Sequence, residues 1–224
     1  MNTIAIITAR KNSRGLKDKN IRDLCGKPVI EYSIDYAFSA SILDGVYVTS
    51  DSERALEIAR RCAAIPIARP PELAQDDTRI DFVLKHAVEH LEKGGVSAEI
   101  IVLLYACVPI REPNLIERGI KLLRDGGGDS VKSYAPVPSR YHSMYHLGQR
   151  PLEYLRQNLK PQWFHDGSIV ILKREWILEP LPLNDFGYLG RKCLPLFITD
   201  ECVNIDSEKD FEKAEEVLSE SRTN

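Results

Sequence analysis

Ile4-Ala5-Ile6-Ile7-Thr8-Ala9-Arg10-Lys11-Asn12-Ser13-Arg14-Gly15-Leu16-Lys17-Asp18-Lys19-Asn20 begins as an apolar run that stops at Arg10. Residues 3–8 read as a buried parallel strand, apolar on both faces. The turn that follows mixes cations, small hydroxyl or amide residues and one glycine. Gly26-Lys27-Pro28 then opens a helical pattern, with Pro28 suited to a first helical position. Strand, cationic loop and helix in this order build a polyphosphate site at the end of the first strand of an α/β protein. Main-chain N–H groups and Ser13 can donate to phosphate oxygens, while Arg10, Arg14 and Lys19 can neutralise them. Gly15 lets the main chain turn where a side chain would clash.

Neither Gly-x-x-x-x-Gly-Lys-Ser/Thr nor Gly-x-Gly-x-x-Gly occurs in this loop, which argues against a nicotinamide dehydrogenase. A charge run is usually a solvated face. Here its position favours a ligand site, because open α/β sheets bind ligands at the carboxyl ends of their strands. The 224 residues carry a net charge of −3, so bulk charge predicts neither a nucleic-acid nor a membrane partner. Positive charge concentrates between Arg10 and Lys27, which suits a small anion. Five scattered cysteines with no Cys-x-x-Cys pair suggest reduced thiols in a cytoplasmic protein. No signal peptide and no transmembrane run are expected.

Outward from the first loop, Ile30, Ser33, Ile34, Ala37 and Phe38 mark one helical face. Residues 46–49 read as the second strand, followed by a capping box from Ser50 to Glu53 and a helix to about Cys62. Asp51 reads as a first-turn carboxylate that complements the helix dipole. Residues 65–68 form a short third strand, so the first third is β-α-β-α-β with a parallel sheet. Ile80, Val83, Leu84, Ala87, Val88 and Leu91 give an amphipathic helix. His86 and His90 lie one turn apart on it without a third ligand, and read as surface or partly buried histidines. Residues 100–104 are the most apolar strand and are expected at the sheet centre. Cys107 reads as a small buried thiol. A helix is expected from Glu112-Pro113 to Gly126, then a strand over 129–135. Periodicity fails from 136 to 164, where Pro, Tyr, His and Arg dominate, and an irregular arm over 136–165 is expected. Residues 169–171 and 194–198 return to the sheet, 177–192 connect them irregularly, and a last helix follows Asp206.

Several of these stretches resemble the acidic-sugar cytidylyltransferases, the family of the CMP-sialic acid synthetases and their legionaminate, pseudaminate and Kdo relatives. The likeness rests first on Ala9-Arg10-x-x-Ser13-x-Gly15-x-x-x-Lys19-Asn20 and Gly26-Lys27-Pro28. Arg69-Pro70-Pro71-Glu72-Leu73-Ala74-Gln75-Asp76 and Val203-Asn204-Ile205-Asp206 extend it. The resemblance implies a three-layer, mostly parallel α/β nucleotide-diphospho-sugar transferase fold, Rossmann-like, in one domain over 1–224. The 136–165 arm would serve dimer contacts and part of the acceptor pocket, so a homodimer is expected. The implied reaction moves CMP from CTP to an acidic sugar with Mg²⁺. Arg10, Ser13, Arg14, Gly15, Lys19 and Asn20 would then hold the triphosphate, with Arg69 and Thr78 nearer the nucleoside. Arg10, Lys19 and Asp206 are the implied catalytic groups. Tyr105, Arg111, Arg140, Tyr141 and Asp166 are the implied acceptor contacts.

Two departures matter. The family has Gln-Pro-Thr-Ser where this chain has Tyr105-Ala106-Cys107-Val108, a bulkier and less polar wall. A site that loses hydrogen-bonding groups changes which substrate it rejects, so the acceptor is expected to be other than plain N-acetylneuraminate. The family's paired metal aspartates are reduced to Asp206, with Asn204 in place of the first. An amide oxygen is a weaker, neutral ligand. These departures leave two alternatives: a cytidylyltransferase for a non-sugar acid such as a phosphonate, or a CTP-binding protein that has lost turnover.

Overall fold

β1 (Thr3–Ala9) sits between two parallel neighbours, and its register fixes the sheet: Ile7 lies opposite Val48 on one side and Leu104 on the other. In chain order there follow β2 (Asp23–Leu24), β3 (Lys27–Pro28), α1 (Val29–Ser39), β4 (Gly45–Ser50), α2 (Glu53–Arg61) and β5 (Ile65–Ala68). Next come α3 (Ile80–Lys93), β6 (Ile100–Tyr105), α4 (Leu115–Gly126), β7 (Ser130–Pro136) and β8 (Trp163–Phe164). β9 (Val170–Lys173), α5 (Arg174–Leu178), β10 (Cys193–Phe197) and α6 (Glu208–Thr223) complete the chain. This computed structural model describes residues 2–12, 15–137, 162–180, 186–199 and 202–223. Ser13, Arg14, Arg140, Tyr141 and most of the 136–165 arm lie outside the described residues.

The main sheet runs β10-β7-β9-β6-β1-β4-β5, with β8 paired to β7. It is mostly parallel. β9 runs antiparallel between β6 and β7. β6 holds the centre, as its unbroken apolar sequence predicts.

Alternation along the strands divides the core in two. Ala5, Ile7 and Ala9 of β1 pack with α1, α2 and α4 through Ile30, Ile34, Ile58 and Ile120. Ile4 and Ile6 face the other way, onto Leu84, Ala87, Val88 and Leu91 of α3. The chain steps from β1 to β4 and β5, then returns across β1 to β6. Right-handed crossovers place α1 and α2 on one face and α3 on the other when the direction reverses. The reversal opens a crevice at the carboxyl ends of β1 and β6, where ligands bind in such sheets.

A third small cluster joins Leu24 and Val29 to Val203, Ile205, Phe211 and Ala214, and so ties the first loop to α6. The hairpin within it escaped the sequence reading because each strand is two residues long. Its turn puts Cys25 at φ 51° and Gly26 at φ 91°, the pair of positive angles that a two-residue hairpin favours.

Three local expectations are corrected. Pro28 ends β3 and is the N-cap residue of α1, which begins at Val29. The cap of α2 is Ser52, whose hydroxyl accepts from Ala55 N; Ser50 Oγ accepts from Ser52 N at 3.0 Å and braces the cap from outside. α4 begins at Leu115, not at Glu112-Pro113, because Tyr36 Oη donates to Glu112 O and accepts from Leu115 N at 3.0 Å. The Glu112 carboxylate turns instead to Arg118 and to Thr199 N.

Candidate functional site

The C-terminal approach to α6 is an extended segment. Val203 bridges to Ile110, and Ile205 N donates to Cys107 O at 2.8 Å. Alternation buries Val203 and Ile205 and leaves Asn204 and Asp206 exposed on the opposite side. Ser207 caps α6, with its hydroxyl accepting from Asp210 N at 3.4 Å and the Asp210 carboxylate accepting from Ser207 N at 2.8 Å. Asp206 is therefore not needed as the helix cap.

Lys19 reaches this segment from the first loop. Its ammonium donates to Ile205 O at 2.6 Å and to Asp206 Oδ1 at 2.7 Å. Arg22 grips Glu208 through both Nη atoms, at 2.7 and 2.6 Å, and lies 4.0 Å over the Phe211 ring. Gly15 closes the contact: a Cβ there would lie 2.0 Å from Asp206 O, a main-chain atom that cannot swing aside. Gly15→Ala is therefore expected to push the loop off the Asp206 turn. Overpacking of this kind costs about 1–3 kcal/mol. The expected result is a melting temperature lower by a few degrees and a nucleotide Kd raised about tenfold. Differential scanning and titration calorimetry check it, and an unchanged Kd would refute it.

A cleft of about 290 Å³ opens beside this junction, lined by Arg10, Lys19, Asn20, Arg69, Asp76, Thr78, Tyr105 and Cys107 among others. Arg10, Lys19 and Asn20 of the first loop, Arg69 and Thr78, and Tyr105 at the end of β6 thus share one space. Asn20 is buried and its amide donates to Arg10 O at 2.9 Å, which fixes the end of β1. Lys11 N donates to Asp51 Oδ1 at 2.8 Å, so Asp51 holds the start of the loop. Arg10 ion-pairs with Asp76 at 2.6 Å. Arg69 is buried; it donates to Thr49 O at 2.8 Å, and burial lowers its guanidinium to about 10. It remains a cation at neutral pH. Thr78 stands in the same wall, its hydroxyl within 3.5 Å of Glu72 O.

Tyr105 belongs to this cleft, with its ring packed against the α3-side core and its phenol pushed well above its ordinary range by burial. Burial likewise raises the Cys107 thiol, which donates to Asn204 Oδ1 at 3.2 Å. That agrees with an inert thiol.

A second hollow of about 490 Å³ is lined by Asn204 with Phe164, Asp166, Thr199, Cys202, Asp210 and Lys213 among others. Asp166 is buried. Its Oδ2 accepts from Ser168 N at 3.1 Å and from the Ser168 hydroxyl, while its Oδ1 has no partner. A larger hollow of about 540 Å³, between Glu99, Arg124 and Arg174, sits at the amino ends of the strands, away from these groups.

Arg111, expected as an acceptor contact, is held by the protein itself. Its guanidinium donates to Ser168 O at 2.8 Å, Ser33 Oγ at 3.0 Å, Tyr105 O at 2.8 Å and Val108 O. These bonds hold the turn after β6 in place. Two residues were missed from sequence. Asp76 lies in a quoted motif without a role assigned to it, and Arg22 carries no local signal at all, because its partner is 186 residues away.

The cytidylyltransferase family model matches residues 4–172. The chain is 31% identical over 190 residues to the N-acylneuraminate cytidylyltransferase of Streptococcus agalactiae, covering 80% of this chain and 45% of that protein. It is 33% identical over 119 residues to the pseudaminic acid cytidylyltransferase of Campylobacter jejuni, covering 53% and 51%. It is 26% identical over 230 residues to the CMP-N,N'-diacetyllegionaminic acid synthase of Legionella pneumophila, covering 97% of each. The chain thus spans about half the length of the first two relatives. A solved CMP-2-keto-3-deoxy-manno-octonic acid synthetase complexed with CTP superposes with a TM-score of 0.78 at 17% identity, covering 99% of this chain and 100% of that one. This likeness carries the fold. Asn204 and Asp206 fall beyond the residues that the family model matches.

Proposed function

Because the chain belongs to the cytidylyltransferase family, we propose that it transfers CMP from CTP to the hydroxyl of an acidic sugar and releases pyrophosphate. The acceptor class is a nonulosonic or ulosonic acid other than plain N-acetylneuraminate. The observation that carries the reading is Lys19. Its ammonium lines the cleft together with Arg10 and Arg69 and binds Asp206 at 2.7 Å at the cleft's margin, so charged groups from three separate stretches converge.

The acceptor hydroxyl attacks the α-phosphorus in line as pyrophosphate leaves. Such reactions are accelerated mainly by positioning and by stabilising charge. Arg10 and Lys19 take the triphosphate, joined by Ser13 and Arg14 and by the main chain around Gly15. Arg69 and Thr78 meet the nucleoside. The hollow lined by Asn204 takes the acceptor, where the unpartnered Asp166 Oδ1 accepts from an acceptor O–H or N–H. Arg140 and Tyr141 are proposed as further acceptor contacts on the family resemblance alone.

Magnesium takes few protein ligands and draws the rest from phosphate and water. Among the described residues no group of three or more His, Cys, Asp or Glu is placed to hold an ion. Asp206 and Asn204 on one side of an extended segment fit an ion that arrives with the triphosphate. When bound, it would neutralise phosphate charge and lower the pKa of the acceptor hydroxyl.

A homodimer through the arm is part of this reading. Trp163 and Phe197 meet with tilted rings, centroids 4.4 Å apart, and both stay exposed with Phe164 at the β10 edge of the sheet. Sedimentation equilibrium that returns a monomer at micromolar concentration would remove it. Among the described residues no helix is long and apolar enough to cross a membrane.

Purified protein with CTP and magnesium, offered a panel of nonulosonic acids, Kdo and phosphonates, tests the assignment through pyrophosphate release. Turnover is expected with a nonulosonic or ulosonic acid and to be weaker with N-acetylneuraminate. Turnover with phosphonates alone would move the acceptor out of the sugar class. CTP binding with no release from any acceptor would mark a protein without turnover.

A further inference from the structure

We infer that Asp76 is a positioning residue that competes with the nucleotide's phosphates for Arg10, and so sets the cleft's affinity for polyphosphate. The inference rests on the CTP reading of the cleft. Arg10 Nη1 lies 2.6 Å from Asp76 Oδ1, and both line the same space. A preformed turn presents the carboxylate. Leu73 N donates to Pro70 O at 3.0 Å, Thr78 N to Gln75 O at 3.2 Å, and the Gln75 amide to Pro71 O at 2.8 Å. Asp76 therefore meets Arg10 without any ligand to organise it.

Lys19 is engaged in the same way, by Asp206. Two of the cations that line the cleft, Arg10 and Lys19, are thus balanced by carboxylates, while Arg69 is held by Thr49 O. An incoming polyphosphate draws Arg10 away from Asp76 and meets a nearby negative charge as it does so. An uncharged nucleoside leaves the pair intact. The pair is partly solvated, with side chains 25% and 41% exposed, so exchange is easy and the competition is modest. The outcome is a cleft that holds its loop and its arginine in register until phosphate arrives.

Titration calorimetry on the full chain tests this with CTP, inorganic tripolyphosphate and cytidine. Asp76→Asn is expected to tighten CTP and tripolyphosphate about two- to fivefold and to leave cytidine unchanged. Asp76→Glu, which restores the carboxylate, returns the wild-type values. In an Arg10→Gln background the gain disappears, because there is no cation left to contest. A weaker or unchanged affinity in Asp76→Asn overturns the inference, as does a gain that survives in Arg10→Gln. If wild-type protein binds neither CTP nor tripolyphosphate, the CTP reading itself falls and this one with it. If both bind and only the Asp76 effect is missing, the CTP reading stands alone.

Discussion

Lys19→Ala is expected to lower kcat for pyrophosphate release about 10²–10³-fold, a loss of ~2.7–4 kcal/mol by analogy with removal of one oxyanion donor. Two features set the size. The side chain is only 11% exposed, so the ammonium is held in the cleft and is no loose surface charge. Its two partners, Ile205 O and Asp206 Oδ1, place it at the seam between the first loop and the C-terminal segment. The variant therefore loses a donor to developing phosphate charge and also a tie that fixes Asp206. Lys19→Arg keeps the charge, but a planar fork cannot reproduce a compact ammonium bridging two oxygens, so an intermediate rate is expected. Steady-state release at saturating CTP, with the melting temperature followed in parallel, separates a chemical defect from a folding one. A near wild-type rate for Lys19→Ala would refute the role assigned to this cleft.

The parts of this site that sequence made legible each have a physical cause. The run ending at Arg10 could be read because a strand buried on both faces leaves an unbroken apolar signature, and because charge placed after it has a known location in an open sheet. Asp206 could be read only through the family resemblance; the structure supplies the physical reason, an extended segment in which Asn204 and Asp206 face out while Val203 and Ile205 face in. Elements whose existence depends on tertiary contact were not legible. β2 and β3 are too short for periodicity, and the five residues of α5 are held by packing of Ile177 in the core. The cap of α2 moved from Ser50 to Ser52 because two serines in one turn offer the same chemistry, and only main-chain direction chooses between them. The partners of Arg10 and Arg22 lie 66 and 186 residues away, and no local pattern encodes such pairs.

Arg111 makes the same point with a larger effect, and Arg111→Leu is expected to destabilise the fold by about 4 kcal/mol or more. From sequence an arginine beside a substrate wall reads as a substrate contact. In the fold its guanidinium ties α1, through Ser33, to the turn after β6 and to Ser168 before β9. Leucine would leave Ser168 O without its donor, while Tyr105 O and Val108 O lose the guanidinium but keep the Ser33 hydroxyl; each lost hydrogen bond to a charged group costs about 1.5–3 kcal/mol. Against a typical total of about 5–15 kcal/mol, the loss is large. At this chain length it corresponds to a melting temperature lower by roughly 10 °C. Burial lowers the guanidinium to about 10, so the group is still charged at neutral pH and its hydrogen bonds are charge-assisted. Arg111→Lys supplies an ammonium with no fork, reaches fewer of these oxygens, and should fall between leucine and wild type. Activity alone cannot decide the matter, because the turn also carries Tyr105 and Cys107 and any collapse there disables the cleft. The melting temperature can. A substrate contact removed by Arg111→Leu would leave it unchanged while turnover fell, whereas a scaffold removed by the same substitution lowers both together.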